Sequence, residues 1–308
     1  MCFTSQFWDL TVTGLAIGAV YALIALGYTL VYGVLQLINF AHSEVFMLGA
    51  FGSVFALRPL VGDVRPSGAT SVVLVVVGLL VGGAVGGLAA FVLERTAYRP
   101  LRRRNAPKLA YLISAIGASL FMVNIAGKEF GRLSVNMPTV FTDGTVFSVF
   151  GADVKTKQLV LAGAAVVLLV LLDRLVNGTR LGQGIRAVAQ DAETASLMGV
   201  DINRVITQTF VIGGVLGGAA GFLYGSAFDV QNTMGFIPGV KAFTAAVLGG
   251  IGNVRGAVLG GVLLGLVENY GVACADSAYR DVIAFSILVL VLLVRPSGIL
   301  GERLGRSA

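Results

Sequence analysis

The stretch SVVLVVVGLLVGGAVGGLAAFV occupies residues 71–92 and carries no charged side chain. As an α-helix with a rise of 1.5 Å per residue it would extend about 33 Å, which matches the ~30 Å hydrocarbon thickness of a bilayer. A strand of a transmembrane barrel would show about ten residues in strict alternation, whereas this stretch is apolar on every side. It therefore predicts a membrane-spanning helix.

The rest of the 308-residue chain has the same character, with 56% hydrophobic residues, 12% charged residues and a mean hydropathy of +0.88. Such a chain cannot cover a water-soluble globule with polar side chains. We expect an all-α polytopic membrane protein, a single transmembrane domain over residues 1–308, with roughly eight or nine transmembrane or half-membrane helices. The first apolar run lacks a basic n-region and a cleavage site, so it is interpreted as a span rather than a signal peptide. The candidate spans are 8–33, 44–57, 70–93, 109–127, 158–177, 205–228, 240–252 (short), 256–272 and 281–295.

Basic residues cluster at the ends of the apolar runs, which explains the pI near 9.5 by the positive-inside rule rather than by nucleic-acid binding. The loop 94–108 is the densest cluster and is predicted to be cytoplasmic. Counting spans from it places 128–157 outside and 174–204 inside. The tail also falls inside, whereas the side of the N-terminus stays open. The basic residues concerned are Arg95, Arg99, Arg102, Arg103, Arg104 and Lys108 in the loop, and Arg295, Arg303 and Arg306 in the tail.

Glycines recur four residues apart in several spans, which predicts smooth helix faces for close packing. Tight packing within the chain is the simpler interpretation, and a subunit interface or a sliding surface is the alternative. Two short apolar segments, 44–57 and 240–248, each follow a polar or Gly/Pro-containing break, which indicates an internal repeat and a transport pathway. The glycine sets are Gly14 and Gly18; Gly78, Gly82 and Gly86; Gly213, Gly217, Gly221 and Gly225; and Gly252, Gly256 and Gly260.

The polar break before the second span carries the candidate pathway residues. His42, the only histidine, and Glu44 predict a proton relay or an ion site. The alternative is structural, since Asn39 and Ser43 favour helix N-caps and a carboxylate at Glu44 suits the first helical turn. It also stays open whether this break is a loop or a helix broken at membrane depth.

The second break adds Pro238 and Lys241 as pathway candidates. For the lysine, the competing interpretation is a side chain that snorkels to the membrane interface.

The segment Arg186–Arg204 is long for a turn and amphipathic, which predicts a cytoplasmic helix that docks on a partner. Its mixed charges disfavour simple binding to anionic lipid. The apolar positions at helical spacing are Ala187, Val188, Ala192, Ala195 and Met198, and the coupling candidates are Arg186, Asp191, Glu193, Ala195 and Gly199.

Several motifs are missing from the sequence. There is no phosphate-binding loop, since the one Gly-Lys pair, Gly127-Lys128, precedes Glu129; nor is there any H-E-x-x-H, G-x-S-x-G or Cys/His cluster. Cys2 and Cys274 are too few for a disulfide scaffold or a metal site. We therefore expect no enzyme activity, no cofactor and no metal. Mid-span ionisable residues, which an ion-coupled carrier needs, are nearly missing apart from Glu44 and the segment ends, so the energy source is expected on another chain.

Several motifs resemble the LivH-type permeases of branched-chain amino acid ABC importers, in order along nearly the whole chain. Ser43 stands where the family motif N-F-A-H-G-E has glycine, and a serine can cap the helix there. The matching runs are GAVYAL at 18–23, LGY at 26–28, NFAHSE at 39–44, YRPLR at 98–102, AAVLGGIG at 245–252 and RPSG at 295–298.

A further likeness concerns Glu193-Thr194-Ala195 followed by Gly199, which is similar to the E-A-A-x-x-x-G loop by which ABC permeases dock their ATPases. The resemblance implies a pathway between two permease subunits in a bacterial inner membrane. It implies a second permease, LivM-like or the same chain, with a soluble substrate-binding protein outside, ATPase subunits inside, and membrane lipid around them.

The substrate that the resemblance implies is a branched-chain or related small hydrophobic amino acid. Importers of urea and short amides are the alternative within the family. From a different class, an ion-coupled secondary transporter or a channel is the alternative, and dependence on an ion gradient rather than on a partner ATPase distinguishes it.

Overall fold

The computed structural model describes residues 7–61, 66, 68–141, 144–149, 152–274, 277–295 and 297–301. Cys2, Pro296, Arg303 and Arg306 lie outside the described residues. The helices are α1 Phe7–Leu35, α2 His42–Val61, α3 Ala69–Leu93, α4 Arg99–Arg103, α5 Lys108–Glu129, α6 Thr156–Gly178, α7 Arg180–Gln190, α8 Ala192–Leu197, α9 Ile202–Ala227, α10 Phe236–Gly249, α11 Val254–Cys274 and α12 Arg280–Val294. A π-helical turn, Glu94–Tyr98, joins α3 to α4, a 3-10 turn, Ser277–Tyr279, precedes α12, and β1 Thr145–Val149 pairs antiparallel with β2 Ala152–Lys155.

Among the described residues, seven helices are long and apolar enough to cross a bilayer, and α10 and α12 are shorter helices of 14 and 15 residues. Each predicted span corresponds to one of these nine helices within a few residues. The all-α polytopic membrane fold is therefore confirmed. The β-hairpin between α5 and α6 was not predicted, and the expected loop 94–108 is helical as far as Arg103.

The two ends of the helix bundle are formed by different segments of the chain. The basic loop, α7, α8 and the start of α9 share a cluster of buried side chains that includes Tyr98, Val188 and Ile206 together with Val34 near the end of α1. The hairpin lies at the other end, where Asp153 N donates to Asp9 Oδ1 at 3.1 Å. We call these the basic end and the hairpin end. The described start of α1 therefore lies at the hairpin end.

The packing repeats with inverted order. In one set, α1 packs on α11, and α10 packs on both of them. In the other set, α9 packs on α3, and α2 packs on both of them. Exchanging α1, α2 and α3 for α9, α10 and α11 thus reproduces the pattern. Since α1 ends at the basic end and α9 begins there, the two sets run in opposite directions, as in inverted-repeat transporters.

Most of the repeated glycines lie where these helices touch. Gly252 is the exception: it lies in the turn before α11 with φ +96° and no atom within 4 Å of its Cβ position, so its expected place on a helix face is wrong. A Cβ atom on Gly18 would lie 2.9 Å from the backbone of Val262, and one on Gly218 would collide with the carbonyl oxygen of Gly82. The helix axes therefore approach closely through backbone atoms alone, as small-residue faces allow. This bears out the packing interpretation of the glycine spacing.

Candidate functional site: a polar centre and a buried charge network

The starts of α2 and α10 meet inside the bundle. A Cβ atom on Gly235 would lie 2.5 Å from the carbonyl oxygen of Ser43, and one on Gly239 would lie 2.5 Å from the Ser43 Cβ. His42 packs against Gly27, which lies eight residues, about 12 Å, before the end of α1. The break is therefore a helix interruption within the length of the spanning helices, not a surface loop.

Five of the six predicted pathway residues line this junction: Asn39, His42, Ser43, Glu44 and Pro238. All five are buried. We call the four residues from α2 and its lead-in, Asn39, His42, Ser43 and Glu44, the polar centre.

The first of these residues has a capping role. Asn39 Oδ1 accepts hydrogen bonds from Ala41 N at 3.1 Å and from Tyr98 Oη at 2.9 Å, so it caps the turn before α2 as expected. The expected N-cap role of Ser43 is wrong, because Ser43 lies inside α2 and its hydroxyl donates to Phe40 O at 2.8 Å.

Glu44 is 1% exposed and has one satisfied oxygen. Its Oε1 accepts a hydrogen bond from Ser119 Oγ at 3.2 Å and lies 3.2 Å from Ser43 Oγ, whose hydrogen is donated to the closer Phe40 O, and its Oε2 has no partner. In the described part of the chain, Glu44 forms no ion pair. A buried carboxyl oxygen without a partner is costly.

His42 does not continue a relay from Glu44. Two residues along a helix are about 200° apart around its axis, and accordingly His42 faces Gly27 and Gly217 whereas Glu44 faces Ser119. The His42 ring packs edge-on against Tyr28 with centroids 4.8 Å apart, and its Nε2 has no partner. No hydrogen bond joins the two side chains among the described residues, so the structure gives no direct His42–Glu44 proton relay.

Lys241 belongs to a second group of buried charges. It is 3% exposed, and its Nζ lies 3.1 Å from Glu268 Oε1 and 2.7 Å from Asp281 Oδ1. The interpretation that this lysine snorkels to the interface is therefore wrong.

Glu268 is the centre of this charge network. It is 0% exposed, and its Oε1 also receives Tyr21 Oη at 3.4 Å and lies 3.5 Å from Arg280 Nε. The network, Tyr21, Lys241, Glu268, Arg280 and Asp281, ties α10 to α1, α11 and α12. Glu268 is an acidic residue within the predicted span 256–272, four residues before its end, and it could have been noticed in the sequence.

The predicted coupling segment forms two helices rather than one. Asp191 ends α7 and caps α8, because its Oδ1 accepts from Glu193 N at 2.9 Å and from Thr194 N at 3.1 Å. Gly199 follows α8 with φ +86°, a left-handed conformation that glycine adopts without strain. Hydrogen bonds from the Thr194 hydroxyl and backbone hold the pKa of the Asp191 carboxyl below its usual value.

Side chains of this segment divide between the core and solvent. Ala195 is buried and Glu193 is exposed. Arg186 is exposed and donates to Val176 O and Asn177 Oδ1 at the end of α6. Met198, one of the apolar positions at helical spacing, is 81% exposed beside Leu197 at 84%. The end of α8 thus presents two exposed apolar side chains, Leu197 and the following Met198, at the basic end.

Comparison with known proteins identifies the family. Residues 10–292 match the family model described as "Branched-chain amino acid transport system / permease component". The chain belongs to this family. It is a permease component and a multi-pass protein of the cytoplasmic (inner) membrane.

Among its relatives in this permease family, the high-affinity branched-chain amino acid transport system permease LivH of Salmonella typhimurium is 41% identical, over 94% of each chain. BraD of Pseudomonas aeruginosa, with the corresponding description, is also 41% identical over 94% of each chain. A probable LivH permease of Methanocaldococcus jannaschii is 28% identical over 91% of this chain and 88% of its own. The resemblance found in the motifs is confirmed.

Proposed function

We propose that this chain is one of two permease subunits of an ATP-driven importer that carries branched-chain or related small hydrophobic amino acids into the cell. The observation that carries the proposal is the 41% identity, over 94% of both chains, to permeases of high-affinity branched-chain amino acid transport systems. The whole chain, residues 1–308, then acts as a single permease domain, and residues 185–204 form its coupling segment. The chain is a transport protein rather than an enzyme.

Energy enters from ATPase subunits that dock at the basic end. Two features support docking through α8: the exposed side chains of Leu197 and Met198, and the capping by Asp191 that fixes the start of this helix. Glu193 adds an exposed carboxylate for a basic partner surface. Gly199 lets the chain turn back into α9 immediately after the contact. A movement of the ATPases would therefore reach the membrane through α9.

The solute crosses next to the polar centre. Supporting this are the interruption before α2, the facing start of α10, and the unpartnered Glu44 Oε2. Ser119 belongs to α5, a largely exposed helix, and places its hydroxyl next to Glu44. A second permease subunit, LivM-like or a second copy of this chain, covers the exposed face, and a soluble binding protein delivers the solute at the hairpin end.

The test is uptake of radiolabelled leucine into proteoliposomes that contain this chain, its ATPases, a partner permease and a binding protein, each omitted in turn. Uptake that requires ATP and every component is the expected result. Uptake of urea or acetamide but not of leucine would reassign the substrate. Uptake by this chain alone under an ion gradient would overturn the importer assignment.

A further inference from the structure

A basic pocket lies on the π-helical turn and α4, at the basic end. Arg95, Arg99 and Arg103 are spaced four residues apart and so face the same side of the helix. With Arg104 and Pro100 they line a cavity of about 290 Å³. We call these residues the arginine pocket. No acidic residue contributes to its lining.

The four guanidinium groups have no carboxylate partner among the described residues. The nearest acidic residue in the sequence, Glu94, is already committed: its Oε1 accepts from Arg102 Nη2 at 2.8 Å and its Oε2 from Thr207 Oγ1 at 3.1 Å. Within the pocket itself, Arg99 Nε is buried and has no hydrogen-bond partner. Four like charges at close range repel one another, so an anion that enters the pocket is stabilised.

An apolar stripe on α3 leads to this pocket. Leu80, Leu88, Phe91 and Val92 are exposed and precede Arg95 on the same continuous helix. From Leu88 to Arg95 the helix rises about 10 Å, which is within the ~15 Å depth of one bilayer leaflet. An acyl chain lying along this stripe would thus bring its headgroup to the level of the arginines.

We propose that the arginine pocket binds the phosphate group of an anionic phospholipid of the cytoplasmic leaflet, whose acyl chain lies along the exposed stripe of α3. A guanidinium offers two parallel N–H donors that match phosphate oxygens, and basic pockets at the cytoplasmic ends of helices suit lipid headgroups. Lipid fits the site better than free phosphate, because the exposed stripe next to the pocket offers a surface for an acyl chain, which free phosphate lacks. The site is independent of the transported solute.

The test measures lipid retention by native mass spectrometry on the full chain in detergent. Phosphatidylglycerol is compared with phosphatidylcholine of the same acyl chains. The wild-type protein is expected to retain phosphatidylglycerol about ten-fold more than phosphatidylcholine. Combining Arg95→Gln, Arg99→Gln and Arg103→Gln is expected to bring this preference to about one-fold.

The matched control combines Arg174→Gln, Arg180→Gln and Arg204→Gln, which removes the same number of charges from exposed positions outside the pocket. This control is expected to keep the preference. Equal losses in both triple variants would show a general charge effect and overturn the proposal. An unchanged preference in the pocket variant would overturn it as well.

Two further arms separate the sources of phosphate. Inorganic phosphate and glycerol phosphate are added at the concentration of the lipid, and neither is expected to displace it; displacement by either would assign the pocket to a soluble anion instead. Displacement by added ATPase subunits would assign it to the subunit interface. If the triple variant does not elute as a folded species, Arg99→Lys replaces it, because lysine keeps the charge but loses the paired donors. An Arg99→Lys protein with the full wild-type preference would then count against the proposal.

Discussion

Lys241 Nζ lies 3.1 Å from Glu268 Oε1, and the lysine belongs to a helix of only 14 residues. Such a short helix does not cross the membrane by itself, so its position depends on its neighbours. The ion pair fixes α10 against α11 in the interior of the bundle.

Replacing Glu268 is expected to destabilise the bundle strongly. Glu268→Gln removes the carboxylate that Lys241 and Arg280 share, and breaking a buried pair typically costs about 3–5 kcal/mol. The free energy of unfolding in detergent measures the loss. Asp281→Asn is the control, because Asp281 is 43% exposed and its pair with Lys241 should contribute about 1 kcal/mol or less. Equal losses in the two variants would contradict the central role of Glu268.

A methyl group on Gly218 is expected to force α9 away from α3. Gly218→Ala places a Cβ against the Gly82 carbonyl and should cost about 1–3 kcal/mol of unfolding free energy as overpacking. Gly163→Ala on α6 meets no atom within 4 Å and should be neutral or stabilising, by up to about 1 kcal/mol, because alanine favours helices. The two melting curves should therefore shift in opposite directions. A stable Gly218→Ala protein would refute the close contact.

Removing the exposed apolar side chains at the end of α8 is expected to weaken docking of the ATPase subunits. Leu197→Ser with Met198→Ser deletes two exposed side chains that contribute nothing to the core, so folding should be retained while co-purification with the ATPase falls about ten-fold or more. Leu133→Ser is the matched control, since Leu133 is equally exposed at 84% but belongs to a loop near the hairpin end. Undiminished co-purification of the double variant would move the docking surface elsewhere.

The start of α8 is expected to loosen in acid. The pKa of Asp191 is lowered in the folded chain, so its contribution is present above the unfolded pKa of about 3.9 and disappears as the pH falls through the folded value. Hydrogen exchange at the Glu193 and Thr194 amides measures this, with protection falling below about pH 4. Asp191→Asn keeps a capping oxygen without the charge and should remove the pH dependence. Protection that stays constant to pH 2 in the wild-type chain would contradict the capping role.

Neutralising Glu44 is expected to reduce transport rather than stability. Glu44→Gln keeps the shape and the Ser119 contact but removes the acceptor for a cationic group, so uptake should fall about ten-fold, equivalent to about 1.4 kcal/mol. The melting temperature should change little. His42→Ala is the comparison. The His42 ring fills the space between Gly27 and Gly217, so this variant should lower the melting temperature more than Glu44→Gln does. Full uptake by Glu44→Gln would show that this carboxyl has only a structural role.

Span positions could be predicted from the sequence because length and hydropathy are local properties. The starts and ends of α5 and α6, for instance, lie within two residues of the predicted bounds. The two helices of the coupling segment could also have been predicted, since Asp191 followed by Thr194 has the pattern of an N-cap that starts a new helix. The periodic apolar positions across 186–198 concealed this break.

Contacts between distant residues could not be predicted in the same way. Glu268 and Lys241 are 27 residues apart, and nothing local distinguishes a lysine that pairs with a buried carboxylate from one that snorkels. Whether the side chains of Glu44 and His42 point to the same side also depends on where α2 begins. Patterns in a single sequence place the start of a helix only within a few residues. Partners within the polar centre, such as Ser119, follow only from tertiary packing.

The glycine contacts between α1 and α11 and between α9 and α3 have a mechanical consequence. Because backbone touches backbone there, no side-chain rotamer stands between the helices to absorb a displacement. Each pair is therefore stiff and transmits a push along its full length. We therefore expect a tilt of the first turn of α9 to be passed on to α3, and we expect bending at the chain breaks before α2 and α10.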